Sequence, residues 1–280
     1  MIFDIHVHLF PPEITKNIEK YTRRDPFLAG ICSSKGHRYV TAEDLLAEMD
    51  RCGVDKTAIS GFAASDPGLC REMNDYILEA ARAHPQRLMA MAIVSPRDEM
   101  MEGELDRTLK LGARGVGELF PWGQSFPLDG RAADRLATYC QERKLPLLLH
   151  LNENVGHYYT GKGDVSAKEG AEFAAKYPSL PLVFAHWGGG LCFYELMPEL
   201  KEQLRHVYYD IAASPFLYTS NIYKVVREIG ILDKVLLGTD YPLLSPRRYL
   251  RQLDNSGLTT EEIRKITGEN AARLFSTAIC

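Results

Sequence analysis

Ile2-Phe-Asp-Ile-His-Val-His-Leu9 opens the chain as a short apolar run carrying histidines at alternate positions. Side chains of an extended segment point alternately to opposite faces. Phe3, Ile5, Val7 and Leu9 are therefore expected on one face, towards surrounding helices, with His6 and His8 together on the other. Seven more runs follow strand 2–8, at 54–60, 87–94, 113–119, 145–150, 181–186, 207–212 and 235–240. Amphipathic helical patterns follow them, at about 42–52, 69–84, 100–111, 130–143, 167–176, 193–205, 217–229 and 247–254. In 42–52, Leu45, Leu46 and Met49 share a face, Thr41 caps the start and Gly53 supplies the stop. A closing helix begins at Thr259, with Glu262 completing a capping box.

Eight strands, each followed by a helix, predict an α/β fold, a (β/α)8 TIM barrel in a single domain over 1–280. A doubly wound open sheet is the runner-up. No linker or shift in composition divides the chain. The connection 9–40 is too long for an idle loop and reads as a lid or rim element.

Composition narrows the classes. Lys plus Arg number 33 against 37 Asp plus Glu, a net charge of −4, so no basic surface recruits nucleic acid or anionic lipid. With 45% apolar and 25% charged residues, a disordered or collagenous chain is excluded. No apolar run of about 18 residues is present, so no membrane-spanning helix is expected. The N-terminus lacks the pattern of a secretory signal. Cys32, Cys52, Cys70, Cys140, Cys192 and Cys280 are scattered without a CxxC pair and read as reduced thiols, which suits the cytoplasm.

Strand ends carry the chemistry. His150 closes Leu145-Pro-Leu-Leu-Leu-His150, His186 closes Leu182-Val-Phe-Ala-His186, Asp240 closes Val235-Leu-Leu-Gly-Thr-Asp240, and Glu118 lies near the end of 113–119. In a barrel these ends meet at the catalytic face. One terminal histidine is more often a hydrogen-bonded rim residue than a ligand. Four of them with two carboxylates are different, because burying so many ionisable groups without a cation costs several kcal/mol. A metal site is expected. His84 and His206 lack this context and read as surface residues.

The loops beside these ends, Phe10-Pro-Pro12, Phe120-Pro-Trp122 and Asn152-Glu-Asn154 with His157, Tyr158 and Tyr159, suit a small organic substrate. Phe10, Trp122, Asn152 and His157 are the candidate substrate contacts. The glycines of His186-Trp-Gly-Gly-Gly190 serve a strand-to-helix turn first and an anion site second. Arg23, Arg24, Lys35, His37 and Arg38 read as a solvated face before they read as charge over the pocket. Asp210 shares inward parity with Tyr208 and receives no role. Nucleophile-elbow, phosphate-loop and dinucleotide motifs are absent.

Asp4-Ile-His6-Val-His8, strand-end His150 and His186, and Gly238-Thr-Asp240-Tyr-Pro242 resemble the amidohydrolase superfamily of metal-dependent barrels. Ala47-Glu-Met-Asp-Arg-Cys-Gly-Val-Asp55 and Gly268-Glu-Asn-Ala-Ala-Arg-Leu-Phe275 resemble its branch containing aminocarboxymuconate-semialdehyde decarboxylase, which holds hydrolases and non-oxidative decarboxylases. The resemblance implies that His6, His8 and His150 bind a divalent ion, most often zinc, with Asp240 as ligand or base and His186 polarising the substrate. Gly117-Glu118 is similar to the bridging position of TatD-type nucleases. If Glu118 bridges, His6, His8 and Asp240 hold one ion while His150 and His186 hold a second, so one or two ions both stay open. The expected activity is hydrolysis of a small amide, ester or lactone. The alternative is non-oxidative decarboxylation, and a further one is a TatD-type phosphoesterase or nuclease, which the acidic charge weakens. A metal-binding protein without turnover is the non-enzymatic alternative. Barrels of this branch resemble dimers, so a homodimer is an admissible partner state.

Overall fold

Parallel strands and helices alternate along the computed structural model, which describes residues 1–33, 38–159 and 161–276. The strands are β1 (Phe3–His8), β2 (Lys56–Ser60), β3 (Leu88–Ala90), β4 (Val116–Leu119), β5 (Leu147–Leu149), β6 (Leu182–Phe184), β7 (Val207–Asp210) and β8 (Val235–Leu236). Each falls inside a run read from the sequence. They form two parallel ladders, β1-β2-β3 and β4 through β8 in order. Backbone hydrogen bonds join the ladders at both seams. Arg114 N–H reaches Ala90 O, Ala92 N–H reaches Gly115 O and Gly117 N–H reaches Ala92 O, at 2.8–2.9 Å. Ile5, Asp240 and His8 N–H groups reach Leu237, His6 and Tyr241 oxygens, each at 2.8 Å. The eight strands thus close into a (β/α)8 barrel, and the open-sheet alternative is excluded.

The main helices are α4 (Ala42–Cys52), α5 (Pro67–Ala83), α6 (Met101–Lys110), α7 (Arg131–Glu142), α8 (Ala167–Lys176), α9 (Pro198–Gln203), α11 (Asn221–Ile229) and α12 (Pro246–Asp254). Thr41 and Asp44 form a capping box on α4, which Gly53 ends in left-handed conformation at φ +72°. The closing helix breaks into α13 (Thr260–Arg264), a π turn and α14 (Asn270–Ser276), with the capping box of Thr259 and Glu262 in place. The helix expected over 193–205 differs. A tight segment, His186–Leu196, fills its start, and the chain restarts at Pro198, which has no N–H and suits a first helical turn. The pattern at 217–229 also divides, into α10 (Ser214–Leu217) and α11.

The connection after β1 carries three short helices, α1 (Pro12–Lys16), α2 (Ile18–Thr22) and α3 (Pro26–Cys32). It is pinned to the loop after β2. Arg24 pairs with Asp66 at 2.8 Å and Glu72 at 2.6 Å, while buried Asp25 accepts the N–H groups of Leu28 and Ser65. Arg24 is therefore spent on this latch and brings no free charge to a pocket. Lys35, His37 and Cys280 lie outside the described residues.

Alternate strand residues divide the core. Val7, Ile59, Leu147, Leu149, Phe184 and Tyr209 pack outward with the helices, while Ala58, Met89, Leu148, Val183 and Leu236 fill the barrel interior. Phe3 and Ile5 belong to the interior set, not beside Val7 and Leu9 as strict alternation predicts. The register of β1 against β2 slips between Asp4 and Val7, and such a bulge reverses side-chain parity across it. Asp4 is consequently turned from the strand-end cluster and bonds Thr239 through backbone and hydroxyl. Among the described residues no helix is long and apolar enough to cross a membrane.

Candidate metal centre

Glu118 lies at the middle of the strand-end groups, almost fully buried. Gly117 before it adopts φ +114°, and a Cβ there would lie 2.1 Å from the Leu148 carbonyl oxygen, so only glycine lets β4 approach β5 this closely. The two carboxylate oxygens of Glu118 face different ways. Oε2 is 3.3 Å from Nε2 of both His6 and His8. Oε1 is 3.0 Å from His150 Nδ1 and 3.6 Å from His186 Nε2. Asp240 Oδ1 completes the first set, 3.8 Å from His6 and 3.5 Å from His8. His6, His8 and Asp240 form one potential cation site, and Glu118, His150 and His186 another.

The surrounding hydrogen bonds fix which nitrogen points inward. His6 Nδ1–H donates to Asp210 Oδ2 at 2.7 Å, His8 Nδ1–H to Gly61 O at 3.0 Å, and His186 Nδ1–H to Ala212 O at 3.2 Å. Each partner only accepts, so each Nε2 turns a lone pair to the centre. Two such lone pairs face each other across 3.1 Å at His6 and His8, and another pair of ring nitrogens does so at His150 and His186. Lone pairs this close repel unless a proton or cation lies between them. Donors about 2.0–2.2 Å from zinc are about 2.8–3.6 Å apart, so these separations fit a divalent ion in each set. His150 Nε2 is buried without a partner, which leaves Nδ1 as its inward atom and a free donor behind it.

Electrostatics agrees with the geometry. Burial opposes charge on His6, yet Glu118 and Asp210 lift its pKa well above the ordinary imidazole range. For His186 burial again opposes, and the Glu118 hydrogen bond and charge outweigh it, giving about 9. Burial would raise Glu118, but His6 and His150 hold it well below the usual carboxylate range. Backbone conformation is constrained too. His186, Trp187 and Asp240 have φ of 55°, 58° and 53°, a left-handed region costing roughly 1–2 kcal/mol per non-glycine residue. Asp210 helps hold it by accepting the His186 N–H at 2.8 Å.

Asp210, left without a role by the sequence, thus orients two histidines at once. Phe62 was also missed. Its ring is 5.3 Å from His8 and 4.8 Å from Phe120, which is 5.0 Å from His150. Phe27 from α3 joins Phe120 and Trp122, so the latch helices and the loops after β2 and β4 make one aromatic wall. Phe62 stands two residues beyond β2, and the reading of loops beside strand ends that singled out Phe10 and Trp122 would have found it.

The candidate substrate contacts fare unevenly. Trp122 is half exposed at the wall's edge, whereas Phe10 is buried behind Phe62. The amide of Asn152 exchanges hydrogen bonds with Gly163 and donates to Glu153 O, so it braces the loop. His157 is exposed and packs on Tyr159. His84 is exposed as expected, but His206 is half-buried with neither ring nitrogen partnered by a side chain. A cavity of about 510 Å³ opens at the other end of the barrel beside Phe3, Met89 and Phe275. It touches none of the strand-end groups, so donor chemistry rather than cavity size locates the site.

Known proteins share this architecture. The structure is similar to 5-carboxyvanillate decarboxylase from Sphingomonas paucimobilis, with TM-score 0.77 and 15% identity, covering 98% of each chain. It is similar to 2,6-dihydroxybenzoate decarboxylase from Rhizobium, with TM-score 0.71 and 18% identity over 99% of each chain. A third match is 5-carboxyvanillate decarboxylase from Novosphingobium aromaticivorans in complex with manganese and 4-hydroxy-3-methoxy-5-nitrobenzoic acid. Its TM-score is 0.78 at 18% identity, over 99% of this chain and 96% of that one. At such identities the likeness shows the fold. The family model described as amidohydrolase matches residues 3–277, and the chain belongs to that family.

Proposed function

We propose that the chain is a metal-dependent hydrolase that cleaves a small amide, ester or lactone between its two donor sets. The observation that carries this reading is Glu118, which turns one oxygen to each set, the arrangement of a carboxylate shared by two ions. Four imidazoles and two carboxylates suit zinc and admit manganese. Bound there, divalent ions supply Lewis acidity and make water nucleophilic near neutral pH. The protein's own groups do the rest. Asp240, the most open carboxylate of the cluster with a side chain 20% exposed, takes the proton of attacking water and returns it to the leaving group. Asp210 holds His6 in the correct tautomer, and His186 meets the developing charge on the substrate. The wall of Phe62, Phe120 and Phe27 excludes bulk water from one side.

A second reading is non-oxidative decarboxylation of an aromatic acid, in which Asp240 delivers a proton to carbon. The names of the similar structures support it more than they support hydrolysis, and the aromatic wall suits its substrates. Incubation of the zinc- or manganese-loaded protein with lactones, amides and hydroxybenzoates in ¹⁸O-water separates the two. Hydrolysis places ¹⁸O in a product without gas release. Carbon dioxide release without ¹⁸O in the organic product rejects the hydrolase.

A further inference from the structure

Glu153 stands three residues beyond His150, on the loop that leaves β5. Its Oε1 accepts the Tyr218 hydroxyl at 2.8 Å, while Oε2 is buried and has no partner. A buried carboxylate oxygen left unpaired is costly, so such an atom calls for a donor that arrives with something else. Among the described residues no lysine, arginine or histidine pairs with Glu153.

The loop that carries Glu153 is seated against the exits of the strands that bear the second donor set. The Asn152 amide ties the loop to Gly163 at 2.7 and 3.0 Å. A Cβ on Gly189 would lie 2.4 Å from Asn152 O, so the loop is seated on the glycine turn that follows His186. Tyr218 closes the other side, its hydroxyl 3.9 Å from where a Gly190 Cβ would stand. Glu153 and Tyr218 are therefore held between the exits of β5 and β6, which carry His150 and His186. Tyr159 links the two groups: burial raises its phenol, and the charges of Glu153, Asp240 and Glu118 all add to the shift. The buried, unpartnered Nε2 of His150 belongs to the same loop.

We infer that Glu153 determines specificity by binding a hydrogen-bond donor of the substrate, best met by a protonated nitrogen, while the scissile group lies at the ion-binding residues. This rests on the reading of the strand-end cluster as an ion site and adds to it the chemistry of the substrate's far end. The unpaired oxygen accepts from the ammonium, Tyr218 holds the carboxylate in place, and a substrate with a methyl group there leaves the oxygen unpaired. Hydrogen bonds to charged groups contribute about 1.5–3 kcal/mol, corresponding to a preference of about tenfold or more.

The test uses two ion-chelating probes, 3-(aminomethyl)benzohydroxamic acid and 3-ethylbenzohydroxamic acid, titrated calorimetrically into the zinc-loaded protein. The ammonium probe should bind about tenfold or more tightly, and Glu153→Gln should bring the two affinities together. Tyr218→Phe, which keeps the carboxylate, should retain a preference and shows that the fold survives at this position. Equal affinities in the parent protein, or a preference that persists in Glu153→Gln, overturn the role of Glu153 and leave the ion site intact. Binding of neither probe overturns the ion-site reading, and this inference with it.

Discussion

The two ends of the barrel solve opposite problems with the same strands. At the N-terminal end, Phe3, Ile5, Met89, Leu148, Val183 and Leu236 fill the interior, and Ala271, Leu274 and Phe275 of the closing helix cover them. At the other end, β1, β4, β5, β6 and β8 converge four histidines and two carboxylates that no apolar packing can satisfy. One end stabilises by removing apolar surface from water. The other needs an ion or protons to hold its groups together, and strained backbone at His186 and Asp240 is carried by the rest of the fold. Stability and chemistry should therefore respond to different substitutions.

The largest effect is expected from Glu118→Ala, which removes both carboxylate oxygens from the centre. Turnover should fall by a factor on the order of 10³ or more, because an electrostatic element acting on developing charge is lost. Chelation of the parent protein should reproduce that loss, and readdition of zinc or manganese should reverse it. At the opposite end, Phe275→Ala should cost about 3–5 kcal/mol in denaturant unfolding while the folded protein keeps its ion content. Loss of ions in Phe275→Ala, at a denaturant-free pH where it is folded, would show that the ends are coupled. Asp210→Asn is the intermediate case, because it removes the carboxylate that holds the His6 ring and the His186 backbone while every proposed ion ligand stays in place. A drop of about 10–100-fold in zinc affinity, read by competition with a chromophoric chelator, is expected with little change in unfolding.

The smallest effect concerns a histidine outside both ends. Burial, then the charges of Arg205 and Lys234, lower His206 to about 4. The folded protein thus binds fewer protons than the unfolded chain between about 4 and 6.5, so this contribution is present above 6.5 and fades as pH falls towards 4. His206→Gln should flatten the stability-versus-pH curve in that window by at most one proton, measured by denaturation at each pH. An unchanged slope would mean that His206 is solvated and contributes nothing.

The contrast between His206 and the strand-end histidines also shows what the sequence could reveal. Periodicity located all eight strands, and the end of an apolar run is itself a position in space when the fold is a barrel. His6, His8, His150, His186, Glu118 and Asp240 were legible for that reason. The bulge in β1 was not, because a one-residue slip depends on pairing with β2 and leaves no local mark among Phe3, Asp4 and Ile5. Asp210 was visible only as a polar residue of correct parity, since its two histidine partners come from β1 and β6. The bracing role of Asn152 was not legible, because loop amides brace loops as readily as they bind ligands, and its partner Gly163 lies eleven residues away. His206 read as a surface residue because nothing in Arg205-His206-Val207 announces burial.

Sharing of Glu118 between two ions is the central claim, and metal stoichiometry tests it most directly. Protein reconstituted with zinc and freed of excess should contain about two ions per chain by elemental analysis, falling to one or none in Glu118→Gln. One ion per chain in the parent, unchanged in Glu118→Gln, would contradict the shared site and move the reaction towards the single-ion, decarboxylating alternative.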